Sequence, residues 1–384
     1  MISVWDFPDK VYILVEKEIR MQVFETVFDI LGARKNLAKT LGVGYTTISE
    51  WYHGFKKRSK TKITTQCCPV WAYKKIVEIL IQNNHDELVQ NIEKNILFYS
   101  GHSGAPVKNP VLPIKETERL MNLIAHIIGD GTVPERGMPF YSNTCKELRE
   151  EFILDLSMLG DVEYQESFKS RVPRVWFPLV IPYILGNVYE IDFVNKKFLN
   201  PSFLFNLPNN LLCSFLRGIY DDEGYVHDSN IQICCIDKQF LSLIKKLIES
   251  LGISTSDIFT YQDYFRKDGS LSKVSYFDIY SKSIQKFHNL ISFTHPKKKE
   301  FLGYIVKRIN RGWKYPNSEN IKGIILKELK KNSVLTARDL ALKTLITARN
   351  LRKNYLYKME DEGLILRIGK KKGKGGAQLW SIAK

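Results

Sequence analysis

Two stretches of this chain follow one plan at one spacing, and that duplication limits the possible folds more than any other feature. Glu116 to Ile128 carries apolar residues at Leu120, Leu123, Ile124 and Ile127, one face of a helix, and the pattern stops at Gly129-Asp130-Gly131. Pro208-Asn209-Asn210 opens a second helix with Leu212, Phe215, Leu216 and Ile219 on its apolar face, and Asp222-Glu223-Gly224 closes it. After each ending come a strand pattern, a helix finishing in Leu-Gly (Leu159-Gly160, then Leu251-Gly252), more strand-like sequence and a last helix. The two Leu-Gly glycines lie 30 and 29 residues after Asp130 and Glu223, so the copies keep register.

The composition names a class of partner. The 57 Lys and Arg against 41 Asp and Glu give a net charge of +16, which favours a polyanion. Nucleic acid leads over an acidic membrane surface, because no apolar run approaches the roughly 20 residues that span a bilayer. The acidic start, Met1 to Lys10, does not read as a signal peptide, and a soluble cytoplasmic protein is expected. Cys67, Cys68, Cys145, Cys213, Cys234 and Cys235 show no C-x-x-C spacing and are expected as reduced, partly buried thiols.

Composition shifts at Ser100 to Pro113 and at Gly312 to Ser318 divide the chain. The expected domains are 1–99, helical; 100–113, a linker; 114–200 and 201–311, the two repeats; 312–318, a linker; and 319–384. In Arg34 to Gly54, Ala38 lets two helices approach, Gly42 takes the positive φ of a turn, and Ile48 buries the second helix, as in a helix-turn-helix. Thr46, Thr47, Ser49 and Tyr52 are then expected to face DNA, with Lys56, Lys57 and Arg58 meeting phosphate. An ordinary helix pair beside a solvated basic face has the same pattern. Near the C-terminus, helices at Ile321 to Leu329, from Leu335 and at Ala348 to Glu362 precede strands at Leu364 to Ile368 and Gln378 to Ile382, which predicts a winged helix. Its DNA-facing candidates are Arg349, Arg352 and Lys353 on the third helix and Lys370, Lys371, Lys372 and Lys374 in the wing; a protein-binding winged helix reads the same way.

The duplicated segments resemble the signature of the LAGLIDADG homing endonuclease family, on LIAHIIGDG (Leu123 to Gly131) and LRGIYDDEG (Leu216 to Gly224). Ile291 to Pro296 is similar to the family's segment near the end of the second repeat. The resemblance covers about the central half of the chain. It implies an α+β fold of two pseudo-symmetric αββαββα repeats forming a saddle over DNA, here flanked by an all-α helix-turn-helix domain and a winged-helix domain.

In that family the signature helices pack side by side, which calls for small residues at the crossing. Ala125, Gly129 and Gly218 supply them, whereas Asp222 stands where a small residue is usual and Ile128 replaces the first acid, which Asp221 keeps. The family's main catalytic acids carry over as Asp130 and Glu223, and Gly129 and Asp222 join them as expected metal ligands. The ion implied is Mg2+ or Mn2+, binding the scissile phosphate and lowering the pKa of an attacking water. Either acid alone reads equally as an ordinary helix-end turn residue. Candidate strands lie at Met138 to Asn143, Val162 to Phe168, Arg174 to Phe177, Asn230 to Cys235, Ile258 to Phe265 and Val274 to Tyr280, with Arg171, Arg174, Arg266, Lys267 and Lys273 as phosphate contacts. His126 and His227, beside the acids, read as packing or surface residues.

The expectation is a monomeric, metal-dependent, site-specific endonuclease that hydrolyses both strands of duplex DNA. The alternatives are a non-catalytic DNA-binding transcriptional regulator using the same saddle, and an RNA-splicing maturase. Met1 at the start, and an end without the His-Asn pair that splicing chemistry uses, suggest a free-standing protein.

Overall fold

Helical periodicity and strand alternation resolve into a mixed α and β structure, described in a computed structural model for residues 1–54, 67–102, 104–265, 269, 271–311, 318–370 and 376–383. These fall into two compact units, Met1–Glu223 and Gly224–Lys384.

The first unit begins with β1 (Tyr12–Val15), followed by α1 (Lys17–Leu31), α2 (Arg34–Leu41) and α3 (Tyr45–His53), then β2 (Cys68–Pro69), α4 (Val70–Gln82), α5 (Asp86–Lys94), β3 (Ile96–Ser100) and β4 (Val107–Lys108). The turn between α2 and α3 passes through Gly42 at φ +65, and Ala38 and Ile48 are buried against it. The all-α expectation for the N-terminal part is corrected: β1 pairs antiparallel with β2 and β3. The YILV run of β1 is short and wholly apolar, a pattern that periodicity cannot divide between strand and buried helix. The expected linker at 100–113 is corrected too, because Val107–Lys108 pairs with β3.

The first repeat follows as α6 (Glu118–Ile128), β5 (Gly131–Thr132), β6 (Phe140–Ser142), α7 (Lys146–Ser157), β7 (Asp161–Val162), β8 (Gln165–Ser167), β9 (Arg174–Trp176) and α8 (Val180–Val188). Strand β7 pairs with β4, and the remaining strands form a sheet in the order β5-β6-β9-β8. A hairpin, β10 (Ile191–Asp192) and β11 (Lys197–Phe198), and the short α9 (Ser202–Phe205) lead to α10 (Asn209–Glu223), which packs on α6.

The second unit opens with β12 (Gly224–Val226), β13 (Ile231–Cys235), α11 (Lys238–Ser250), β14 (Phe259–Phe265), β15 (Leu271–Ile279), α12 (Ile284–Leu290) and α13 (Pro296–Asn310). Its sheet order, β12-β13-β15-β14, repeats the first sheet's order of first, second, fourth, third. Then come α14 (Ser318–Asn332), β16 (Leu335–Thr336), α15 (Ala337–Thr344) and α16 (Ala348–Leu351), which continues through a π-helical segment at Arg352–Leu356 into α17 (Tyr357–Asp361). The last strands, β17 (Ile365–Lys370) and β18 (Gln378–Ile382), make a sheet in the order β16-β18-β17 over the buried Trp380. Among the described residues, no helix is long and apolar enough to cross a membrane.

Candidate active site

The α6–α10 contact is built from the apolar faces whose spacing predicted two helices. Leu120, Leu123, Ile124 and Ile127 are buried, as are Leu212, Phe215, Leu216 and Ile219. The backbones meet where side chains are smallest. A Cβ added at Gly218 would stand 2.7 Å from the Ala125 Cβ and 2.9 Å from the Asn122 Oδ1. Near the start of α6, the Ser214 hydroxyl donates to the Glu118 carbonyl at 2.8 Å. At the other end, Gly129 leaves room not for another backbone but for a carboxylate, since a Cβ there would lie 2.5 Å from the Asp222 Oδ2.

That carboxylate organises the site. The Asp222 side chain is fully buried, although its backbone reaches solvent. Its Oδ1 accepts from the Tyr141 hydroxyl (2.7 Å) and the Asn143 amide (3.3 Å); its Oδ2 accepts from His126 Nδ1 (2.9 Å) and from the backbone N–H of Asp130 (3.2 Å). An ionised carboxylate can stay in the interior only when paired and hydrogen-bonded in this way. Burial alone would push the His126 imidazole down, but the charge and hydrogen bond of Asp222, with smaller contributions from Asp221 and Glu151, hold it up at about 9. Near neutrality His126 is therefore an imidazolium held against Asp222. Burial, and then Asp222, pushes the Tyr141 phenol well above its ordinary value, so it stays a neutral donor.

Asn143 links this buried cluster to the first expected acid. Its Oδ1 accepts from the Cys145 N–H at 2.9 Å, which turns its NH2 group toward Asp130 Oδ2 at 2.8 Å. The Asp130 backbone is bonded on both sides, its N–H to Asp222 and its carbonyl to the Ser142 N–H at 3.2 Å. Asp130 and Glu223 are both half-exposed, while Ile128 and Asp221, each two residues earlier in its segment, are buried. Lys196, in the turn between β10 and β11 at φ +54, donates its ammonium to the Gly129 carbonyl.

Two expected metal ligands are revised. Asp222 has no solvent-facing oxygen, and all its acceptor capacity goes to four internal donors; the Gly129 carbonyl is engaged by Lys196. Among the described residues, no group of three or more His, Cys, Asp or Glu side chains could hold a metal by itself. Asp130 and Glu223, both half-exposed, are the two expected acids left to consider, and carboxylate oxygens are the donor type that magnesium and manganese take. Sequence reasoning missed Tyr141, Asn143 and Lys196, and it left His126 as a bystander.

The DNA-facing candidates divide. Thr46 is exposed and Thr47 and Ser49 are half-exposed on α3, but Tyr52 is buried, donating to Glu25 and covered by the Arg34 guanidinium 4.3 Å from its ring. Its expected DNA contact is corrected, because Tyr52 lies on the apolar face of α3 with Ile48 and Trp51. Arg174 lies over the Phe140 ring at 4.4 Å, whereas Arg171, Lys273, Arg349, Arg352, Lys353 and Lys370 are exposed. Lys56, Lys57, Arg58, Arg266, Lys267, Lys371, Lys372 and Lys374 lie outside the described residues. Of the six cysteines, Cys67, Cys68, Cys145 and Cys213 are buried, and burial pushes the Cys67 thiol up to about 12.

No protein-family model matches the chain. It is 31% identical over 232 residues to glutamine–fructose-6-phosphate aminotransferase of Methanocaldococcus jannaschii, a match covering 57% of this chain and 20% of that protein. It is 27% identical over 233 residues to a probable translation initiation factor IF-2 of Thermococcus kodakarensis (58% and 19%), and 23% identical over 241 residues to a DNA polymerase of a Thermococcus species (59% and 13%). The chain thus spans a fifth or less of the length of these curated relatives. Among solved structures, the homing endonuclease I-DmoI in complex with DNA and Mn aligns with 46% of this chain and 97% of its own at 16% identity and a TM-score of 0.33. Full-length DUF199/WhiA from Thermatoga maritima aligns with 64% and 90% at 16% identity and a TM-score of 0.34.

Proposed function

We propose that this chain is a LAGLIDADG-type DNA endonuclease that hydrolyses both strands of a specific duplex site, with Asp130 and Glu223 as its catalytic acids. The observation that carries the reading is the hydrogen bond from the Asp130 N–H to the Asp222 carboxylate. It joins the ends of the two signature helices at one point, with a half-exposed acid on each side of the junction. The matching strand orders of the two repeats support the same reading. So do the curated relatives: their named activities have nothing in common, as expected if the shared stretch is a separate element carried by each.

In this reading Asp130 and Glu223 hold the divalent ion, which when bound supplies Lewis-acid chemistry and lowers the pKa of the attacking water. The chain's own residues supply placement. Asn143 fixes the direction of the Asp130 carboxylate, and Asp222 fixes its backbone. Lys196 places a cation beside the same turn, where negative charge grows on a cleaving phosphate. The exposed face of α3 and the basic α16–α17 helix then extend the grip on DNA as helix-turn-helix and winged-helix modules.

Incubation with a randomised duplex library and magnesium should give recurrent double-strand cuts that vanish in Asp130→Asn and Glu223→Gln while binding persists. Site-specific binding without cleavage in magnesium or manganese would overturn the endonuclease and leave a DNA-binding regulator.

A further inference from the structure

Within Gly224–Lys384 a cleft of about 570 Å3 opens between the β12–β13 hairpin and the C-terminal helices and strands. One wall presents Tyr225, His227 and Gln232; the other presents Arg338, Arg352 and Gln378. Both walls are ordered by polar contacts. Gln232 donates to Asp278 at 3.1 Å, which leaves its amide oxygen to accept from His227 Nε2 at 3.3 Å and fixes the imidazole's orientation. Arg338, at the start of α15, lies 3.7 Å from the Phe301 ring centroid and 5.1 Å from that of Tyr225, and it donates to the Tyr225 hydroxyl and, at 2.6 Å, to the Val226 carbonyl. A planar fork that stacks and donates at once holds two elements in one orientation, which a lysine does not do. Arg352 is exposed and sits where the helix takes up its π-helical segment, a rare local geometry.

We propose that this cleft receives the phosphodiester backbone of one nucleic-acid strand, with Arg352 as its phosphate contact and Arg338 as the clamp that makes the two walls one surface. The proposal rests on the nucleic-acid reading above and adds where, and through which residues, the second unit takes part. Two arginines against a single acid, Asp228, give the lining a positive balance. The Tyr225 hydroxyl, which accepts from Arg338, keeps its own proton to donate to a sugar or phosphate oxygen. Tyr225, 46% exposed, adds a flat apolar surface on which a sugar or a base can rest.

The test is the affinity of the full chain for a short random-sequence duplex across a salt series. Arg352→Ala should weaken binding several-fold and reduce the slope of log affinity against log salt by about one, the signature of one lost phosphate contact. Arg338→Lys keeps the charge but not the fork, and it too should weaken binding several-fold. Lys343→Ala, exposed on α15 outside the cleft, should change binding less than either. An unchanged slope in Arg352→Ala, or an equal loss in Lys343→Ala, overturns the cleft and leaves the endonuclease reading intact. Full-strength binding by Arg338→Lys overturns the clamp. Displacement of the duplex by inorganic phosphate beyond that by chloride at equal ionic strength would make this a small-anion site instead. A full chain that binds no duplex overturns both this proposal and the function above. Arg352 is solvent-exposed, so its variant keeps the test open even where Arg338→Lys fails to fold.

Discussion

Asp222 and His126 bear on stability and geometry together, because one buried ion pair holds the helix ends at which Asp130 is placed. The linkage has a definite sign. His126 is raised to about 9, above an unfolded value of about 6.5, so its contribution is fully present below about 6.5 and is lost as pH rises through 9. A shift of that size on a fully buried group corresponds to about 3 kcal/mol. Urea unfolding across that window should therefore show stability falling with pH, and His126→Gln should flatten the fall; an equal slope in the variant would reject the pairing. Asp222→Asn, which leaves the imidazolium buried without its counter-charge, should cost about 3 to 5 kcal/mol near neutral pH. At this scale the sequence was half legible. The resemblance to the LAGLIDADG signature implied that Asp222 stands where a small residue is usual. Its partners could not be read, because His126, Tyr141 and Asn143 lie 96, 81 and 79 residues away and no periodicity connects them.

The pairing of α6 with α10, implied by the resemblance, was the most legible element-level feature, since close approach of two helices requires small residues and the chain places Ala125 and Gly218 there. Gly218→Ala would put a methyl group 2.7 Å from the Ala125 Cβ, so the helices must part by several tenths of an ångström or the Asn122 side chain must yield. Overpacking of this kind costs about 1 to 3 kcal/mol. In the proposed enzyme the larger effect falls on cleavage, because small displacements of reacting groups carry large rate penalties. Gly218→Ala should therefore cut more slowly, by about tenfold or more, than its change in DNA affinity explains. Ala125→Gly in the same chain should restore part of the rate; a double variant as slow as the single would place the defect outside this contact. The N-terminal strands were illegible for the opposite reason. Tyr12–Val15, Cys68–Pro69 and Ile96–Ser100 are too short for a period to emerge, and the partners of β1 lie far along the chain. Strands β6, β8, β9, β13, β14 and β15 overlap the candidate strands, because polar and apolar residues alternate there between turn signals, whereas the two-residue strands β5, β10 and β11 are too short to show a period.

For the molecule as a whole, net charge and duplication were readable, but the boundary between units was not. The sequence divides the repeats at 200/201, ahead of the second repeat's first helix, whereas the compact units divide at Glu223/Gly224. The reason is packing. Helix α10 belongs to the second repeat by its motif, yet it buries its apolar face on α6, so its stability belongs with the first unit. This has a measurable consequence in native-state hydrogen exchange. Leu120 is fully buried in α6, and Leu120→Ala should remove about 2 to 5 kcal/mol through lost burial and the cavity left behind. Amides in α6 and in Asn209–Glu223 should lose protection together, since opening one helix uncovers the other. Amides in Ile231–Cys235 and Leu271–Ile279, which pair with each other in the second unit's sheet, should keep theirs. Equal loss of protection in those strands would mean that the units open as one cooperative body. Loss in α6 with α10 unchanged would mean that the contact carrying the proposed acids contributes little to holding either helix.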